Sequence, residues 1–276
     1  MTELAGLTLD RPRIMGILNV TPDSFSDGGA FLAPEAAVAR AGAMLAEGAD
    51  ILDIGGESTR PGAVEVPVED EIVRVVPVIS ALRSGGVTAP ISIDTRKASV
   101  ARAALEAGAD MVNDVSAMEF DPEMAAVVAK AGCPICLMHS RGRPETMQND
   151  PRYDDVLTEV TEYLAARIEV AIAAGIPRDR IITDPGIGFG KRLEHNIALL
   201  RGLGQLQALG CPVLLGASRK RFIGTITGAD EAAERMPGSL AVALWGVTQG
   251  VQILRVHDTK ATKAAVDMHM ALMRDE

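Results

Sequence analysis

Eight short apolar runs in this sequence each lead into polar or charged side chains. The first ends in Asn19, the second in Asp53 with Glu57 just beyond, and the third in Asp94. The fourth carries Asn113 and Asp114, the fifth His139, and the sixth Asp184. The seventh leads into Ser218, Arg219 and Lys220, and the eighth carries Arg255, His257 and Asp258. The set is lopsided, with carboxylates and amides on the third, fourth and sixth runs and cations on the last two. A carboxylate facing two parallel N–H donors suits an aminopyrimidinone edge, as in a guanine or a pterin. An Arg with a His and an Asn beside it suits a phosphate group, with or without a magnesium ion.

Any one of these residues, alone, reads equally well as a helix cap or a solvated loop group. Asp114 and Asp258 suit capping, and Asp53 suits a bond to a neighbouring strand. Eight run ends out of eight is a pattern that capping does not explain, and it reads as one active site. Other chemistries lack their parts. There is no defensible Ser-His-Asp order and no H-E-x-x-H, and the four histidines are too scattered for zinc. His195 and His269 fall on helical segments and read as surface or packing residues. Cys133 and Cys136 form a C-x-x-C pattern without a second pair, inside the apolar string CPICLM, and read as core residues.

The elements that must position this set follow from periodicity. The apolar runs cover residues 13–20, 50–55, 91–94, 111–115, 134–139, 181–184, 213–216 and 251–256. Helical patterns follow over 34–47, 68–83, 97–107, 122–131, 153–174, 194–209, 237–250 and 259–273. Gly48, Gly108 and Gly175 stand where a helix C-cap takes a left-handed residue. Strands apolar enough to be buried on both faces, alternating with helices eight times, predict a single (β/α)8 TIM barrel over residues 1–276. A doubly wound open sheet is the runner-up, but the first turn reads NVTPDSFSDGG rather than a Gly-rich phosphate turn. In a barrel the run ends converge on one mouth. Two strand-to-helix loops, 21–32 and 57–67, are unusually long, which points to function.

Composition narrows the class. With 47% hydrophobic but only 3% aromatic residues, the core must be built from Ala, Val, Leu and Ile. A net charge of −10 is a poor match to nucleic acid or anionic membranes. An anionic substrate therefore needs a local basic site. Three cysteines suit a reducing cytoplasm, and the N-terminus has no signal-peptide pattern. The long uncharged stretch 237–254 reads as helix, turn and strand, not as a membrane span.

The segments MGILNVTPDSFSDGG (15–29), DIGGESTRPG (53–62), SIDT (92–95), VNDVS (112–116), DPGIGFGK (184–191), GASRKRFIG (216–224) and RVHD (255–258) occur in that order. Together they resemble the signature segments of the dihydropteroate synthases, over essentially the whole chain. The resemblance implies condensation of 6-hydroxymethyl-7,8-dihydropterin pyrophosphate with p-aminobenzoate, releasing pyrophosphate by an S_N1-like course. It implies that Asp94, Asn113, Asp184 and Lys220 hold the pterin ring, with Arg255 stacked on it. Asn19, Arg255 and His257 would bind pyrophosphate, with Asn19 also a ligand of Mg2+. Ser218 would meet the carboxylate of p-aminobenzoate, within walls of Phe25, Pro61, Phe189 and Lys220. Asp27, Thr59 and Arg60 would complete the site from the two long loops. A homodimer is the expected assembly. One departure is Met138-His139-Ser140, where the family often shows M-H-M. The rivals are a pterin-dependent methyltransferase barrel, which usually lacks the combined DSFSDGG, ESTRPG and SRK segments, and a catalytically silent pterin-binding module.

Overall fold

The chain opens with a small antiparallel hairpin, β1 (Glu3–Leu4) and β2 (Leu7–Thr8), and then enters eight parallel strands. These are β3 (Arg13–Asn19), β4 (Ile51–Gly55), β5 (Ile91–Asp94), β6 (Met111–Asp114), β7 (Ile135–Met138), β8 (Ile181–Asp184), β9 (Leu214–Leu215) and β10 (Ile253–Val256). A computed structural model of the chain describes residues 3–21, 34–59, 62–142 and 146–273. Neighbours pair in the order β8-β7-β6-β5-β4-β3-β10-β9, and a parallel bridge between Thr183 and Val213 joins the two ends. The expected (β/α)8 barrel is therefore the fold.

Nearly every strand residue is buried, because one face lines the barrel and the other meets helices. Met15, Ile51, Met111, Cys136, Ile182, Leu214 and Ile253 form the inner floor with Leu4 of the hairpin. β5 contributes Ser92 to the interior, and its hydroxyl is buried without a hydrogen-bond partner. The hairpin is tied underneath by Arg13, which donates to Thr8 O at 2.8 Å and pairs with Asp10 and Asp50. Periodicity gives no sign of this hairpin.

The helices are α1 (Pro34–Ala46), α2 (Val68–Ser84), α3 (Ala98–Glu106), α4 (Met124–Ala131), α5 (Val156–Ala173), α6 (Leu193–Arg201), α7 (Arg221–Thr227), α8 (Met236–Thr248) and α9 (Thr259–Met273). On α2, Val75, Val78, Ile79 and Leu82 are buried at helical spacing. Each such side chain contributes about 1.5–3 kcal/mol relative to exposure. Gly48, Gly108 and Gly175 take φ of +99°, +112° and +94°, as the C-cap reading requires. Asp155 caps α5, accepting from Leu157 N and Thr158 N.

One boundary needs correction, and one helix is added. The helix expected over 194–209 ends at Arg201 and continues as a 3-10 segment, Leu203–Leu209. The break falls at Gly202, where a Cβ would come within 2.3 Å of Leu157, so α5 packs on bare backbone there. Helix α7 is a further difference; at seven residues it is too short for its period to stand out. Helix α1 begins only at Pro34 and α2 only at Val68; of the two long loops expected, residues 22–32 and 60–61 lie outside the described residues. Among the described residues no helix is long and apolar enough to cross a membrane.

Candidate active site

Parallel pairing puts the run ends at one end of the barrel, and register decides which side chains meet. Asn19 lies opposite Gly55, Gly55 opposite Asp94, Asp94 opposite Asn113, and Met138 opposite Asp184. At the centre lies Arg255 of β10. Its Nε donates to Asp53 Oδ2 at 2.6 Å and its Nη2 to Asp94 Oδ2 at 2.6 Å. Asn113 Nδ2 also reaches Asp53, at 3.3 Å from Oδ2. Asp53 is 0% exposed, so its charge is neutralised from within the barrel. The guanidinium plane is thereby fixed from two sides.

Asp94 Oδ1 is buried and has no hydrogen-bond partner among the described residues. An unsatisfied buried acceptor costs about 1–3 kcal/mol, which a ligand N–H placed there would recover. Burial pushes the Asp94 carboxyl up to about 7, against the pull of Arg255 and with the help of Asp53. Asp184, on β8, is also raised by burial, opposed mainly by Lys220. Its Oδ1 accepts from Gly186 N at 2.7 Å. A Cβ on Gly216 would lie 3.6 Å from Asp184 Oδ2 and 3.8 Å from Arg255 Cδ. Gly216 thus places bare backbone beside both the carboxylate and the arginine side chain, next to the space that they share.

Lys220 reaches this space from the start of α7. Its Nζ donates to Ile187 O and sits 4.4 Å from the centroid of the Phe189 ring. Burial pushes its ammonium down to about 8, against the attraction of Asp184. Phe189 rides on the turn after β8. There Gly186, Gly188 and Gly190 take φ of +66°, +83° and +60°, and a Cβ at Gly186 would meet His139 O at 1.9 Å. Only glycine fits a turn pressed this closely on the end of β7.

Further round the mouth, half-buried Asn19 ends β3, the strand beside β10, and His257 follows β10. His257 N donates to Ser218 Oγ at 3.2 Å, and its Nδ1 lies 3.1 Å from the same oxygen. Arg219 adopts φ of +58°, uncommon for a residue with a Cβ. A bidentate pair with Asp258, at 2.9 and 2.5 Å, and a bond from its N to Ser239 Oγ hold it there. This twist turns Ser218 towards His257 and Lys220 towards Phe189.

The structure changes several of the roles expected from residue type and spacing. Glu57 is not a mouth carboxylate. It is buried, accepting from Val66 N at 2.7 Å, Arg96 at 3.1 Å and Lys97 at 3.0 Å. Burial pushes it up, but those three bonds outweigh burial and hold it below the usual range. Lys97 also pairs with Glu71 at 2.6 Å, so this network anchors the base of the second long loop. Asp114 accepts from Ser116 N and Met118 N, closing a turn rather than capping a helix. Asp258 spends its carboxylate on Arg219. Thr59 is half-buried and lines a cavity of about 390 Å³ with Arg96, Ser116, Phe120 and Phe189. Phe25, Asp27, Arg60 and Pro61 lie outside the described residues. Asp53, read both as a run-end site residue and as a group bonded to a neighbouring strand, is bonded to Arg255. Residue type and spacing undervalue Lys191, which reads only as the last letter of a motif. All three cysteines are free and buried, as expected for core positions.

Residues 15–257 match the family described as pterin binding enzyme. A curated relative, the dihydropteroate synthase of Neisseria meningitidis serogroup B, is 52% identical over 269 residues, covering 96% of this chain and 94% of the relative. A solved structure of Xanthomonas albilineans dihydropteroate synthase with 4-aminobenzoic acid superimposes with a TM-score of 0.93 at 50% identity, over 99% of this chain and 97% of that one. The same enzyme in complex with 7,8-dihydropteroate gives 0.89 at 47% identity, over 98% and 97%.

Proposed function

The chain belongs to the pterin binding enzyme family, among its dihydropteroate synthases, and from that premise we infer how its barrel mouth carries out the reaction. The substrates are a dihydropterin bearing a pyrophosphorylated methylene and p-aminobenzoate. The bond between the methylene carbon and the pyrophosphate oxygen breaks, the carbon bonds to the aniline nitrogen, and that nitrogen loses a proton. The products are 7,8-dihydropteroate and pyrophosphate, a step of folate biosynthesis.

The observation that carries the reading is the partnerless Asp94 Oδ1 beside Asn113 and Asp184 at the barrel centre. These acceptors suit the N–H edges of a pterin, with Lys220 donating to a ring acceptor and Arg255 stacked on the ring face. Arg255, His257 and Asn19 take the negative charge that grows on the leaving pyrophosphate. Loss of that group leaves positive charge on the methylene carbon. An aniline nitrogen is weakly basic and unprotonated at neutral pH, so the site needs to position it rather than deprotonate it first. Ser218, Phe189 and the Lys220 stem hold p-aminobenzoate on the barrel, and Phe25, Pro61, Asp27, Thr59 and Arg60 act from the long loops.

Magnesium fits this donor set in a restricted way. Among the described residues no three His, Cys, Asp or Glu side chains converge on one point, and Asn19 offers a single amide oxygen. Mg2+ commonly binds through one or two protein ligands plus substrate phosphates, so Asn19 would hold it on the pyrophosphate. When bound, it supplies charge neutralisation for the leaving group. The assembly we infer is a homodimer, because exposed Ile226, Trp245, Met268 and Leu272 lie on the adjoining helices α7, α8 and α9. The buried free thiols suit the cytoplasm.

The test is direct. Pyrophosphate release is followed with the pterin pyrophosphate and p-aminobenzoate together and singly. Release that requires both, with formation of dihydropteroate, is expected. No release with both present removes the reading, and release with the pterin alone would make the chain a hydrolase.

A further inference from the structure

Behind the mouth lies a buried lysine that makes no ion pair among the described residues. Lys191 is 3% exposed, and its Nζ lies 2.9 Å from His139 Nδ1, 3.0 Å from Phe189 O and 3.3 Å from His139 O. Two of these contacts are carbonyls, which can only accept, so Lys191 donates to them, and the ring nitrogen accepts the third proton. With Lys191 as the donor, the proton of His139 is on Nε2. It is equally buried, with its ring edge-on to Tyr163 at 4.8 Å. Burial pushes the imidazole down to about 3, and the neighbouring Lys191 adds to that, which keeps it a neutral acceptor. The charged groups facing the lysine are Asp184, which attracts it, and Lys220 and Arg141, which repel it.

The place of this tripod matters. His139 N donates to Asp184 O at 3.0 Å, so the end of β7 is already bonded to the end of β8. Three left-handed glycines then carry the chain over His139 to Lys191, which reaches back and ties Phe189 O to His139. Asp184 has other supports, namely strand pairing and the bond from Gly186 N. The Phe189 backbone has a turn bond from its N to Gly186 O and this lysine.

We propose that Lys191 and His139 are positioning residues that lock the 184–191 turn and so set where Phe189 stands in the p-aminobenzoate pocket, touching neither substrate themselves. The inference rests on the reaction given above for its kinetic consequence, but not for its structural one. Because the tripod grips Phe189 more directly than Asp184, its loss falls on p-aminobenzoate and spares the pterin.

The experiment uses the full chain with Lys191→Met, His139→Leu and His139→Asn, the last keeping a hydrogen-bond acceptor near the place of Nδ1. Steady-state kinetics, calorimetry with 6-hydroxymethylpterin and hydrogen exchange of the peptide spanning 184–191 are measured on each. Lys191→Met and His139→Leu are expected to raise KM for p-aminobenzoate about tenfold, as loss of one or two hydrogen bonds implies, with kcat and pterin affinity within about threefold. Amide exchange in the turn should quicken by a similar factor in both, and His139→Asn should stay close to the unaltered chain in every measurement. Unchanged exchange in both disruptive variants overturns the proposal whatever the activity. So does a loss that falls equally on the pterin, or a His139→Asn variant as impaired as His139→Leu. If Lys191→Met does not fold, the two His139 variants decide alone. An unaltered chain that releases no pyrophosphate sinks the reaction and leaves the exchange result to judge the tripod.

Discussion

Arg255 Nε donates to Asp53 Oδ2 at 2.6 Å, although 202 residues separate the two along the chain. The bond spans β3 within the barrel and, with the role proposed above, makes one side chain both structural and substrate-facing. Arg255→Ala would strand Asp53 and Asp94 in the interior without their cation. It is expected to lower stability by about 3–5 kcal/mol as well as impairing turnover strongly. Arg255→Lys keeps a charge but not the fork and should recover part of the stability and little of the activity. Denaturant unfolding beside initial rates checks both; unchanged stability in Arg255→Ala would refute the structural half.

Asp184→Asn should separate binding from folding. The amide oxygen can still accept from Gly186 N, so the thermal midpoint should hardly move. A neutral amide facing ring N–H donors loses a charge-assisted pair, and pterin affinity should fall by about 2–5 kcal/mol. Unchanged binding in calorimetry would remove Asp184 from the pocket.

The pocket should also respond to pH. Asp94 is raised from 3.8 to about 7, so its contribution to stability is fully present below pH 3.8 and is lost as pH rises through about 7. Pterin binding needs the opposite form, an anionic Asp94, together with a cationic Lys220, which is lowered to about 8. Affinity should therefore be greatest between those values and decline on both sides. Titrations of 6-hydroxymethylpterin from about pH 5 to pH 9.5 test this, and Asp94→Asn should abolish the acid limb while leaving the basic one.

Gly186→Ala is expected to fail outright. Its Cβ would collide with His139 O in the backbone just after β7, at a φ that alanine already disfavours. The turn would have to lift away from β7, taking Phe189 with it. A soluble variant with an unaltered thermal midpoint and unaltered KM for p-aminobenzoate would contradict the packing described.

Parts of the fold and the site are legible from the residues and parts are not, for physical reasons. Parallel barrel strands are buried on both faces, so each shows as an unbroken apolar run, and its functional residue sits at the run's end. That is why Asp94, Asn113, Asp184 and Arg255 can be picked out, and the structure does bring them together. Pairings across the barrel depend on register and stagger, which no local pattern carries. Glu57 therefore looks like a mouth carboxylate while being locked to Arg96 and Lys97. Lys191 and His139 are separated by 52 residues and by a turn whose path only three left-handed glycines make possible. Two-residue strands such as β1 and β2 have no period to detect.

The hairpin under the barrel has a kinetic consequence. Leu4 is 1% exposed and packs with the floor residues, so among the described residues the hairpin covers the end of the barrel away from the run ends. Asp94, Asn113 and Asp184 lie within their strands and Ser218 and Phe189 beyond them, so a ligand held on the strand residues is expected to arrive first and depart last. A p-aminobenzoate molecule that settled early would stand in the way of the pterin, and excess p-aminobenzoate should slow the reaction at low pterin concentration. The joined product, spanning both groups of residues, is expected to withdraw whole through the mouth, after the pyrophosphate has gone. The expected order of entry and exit would thus trace to a pair of two-residue strands at the far end from the strand-end residues.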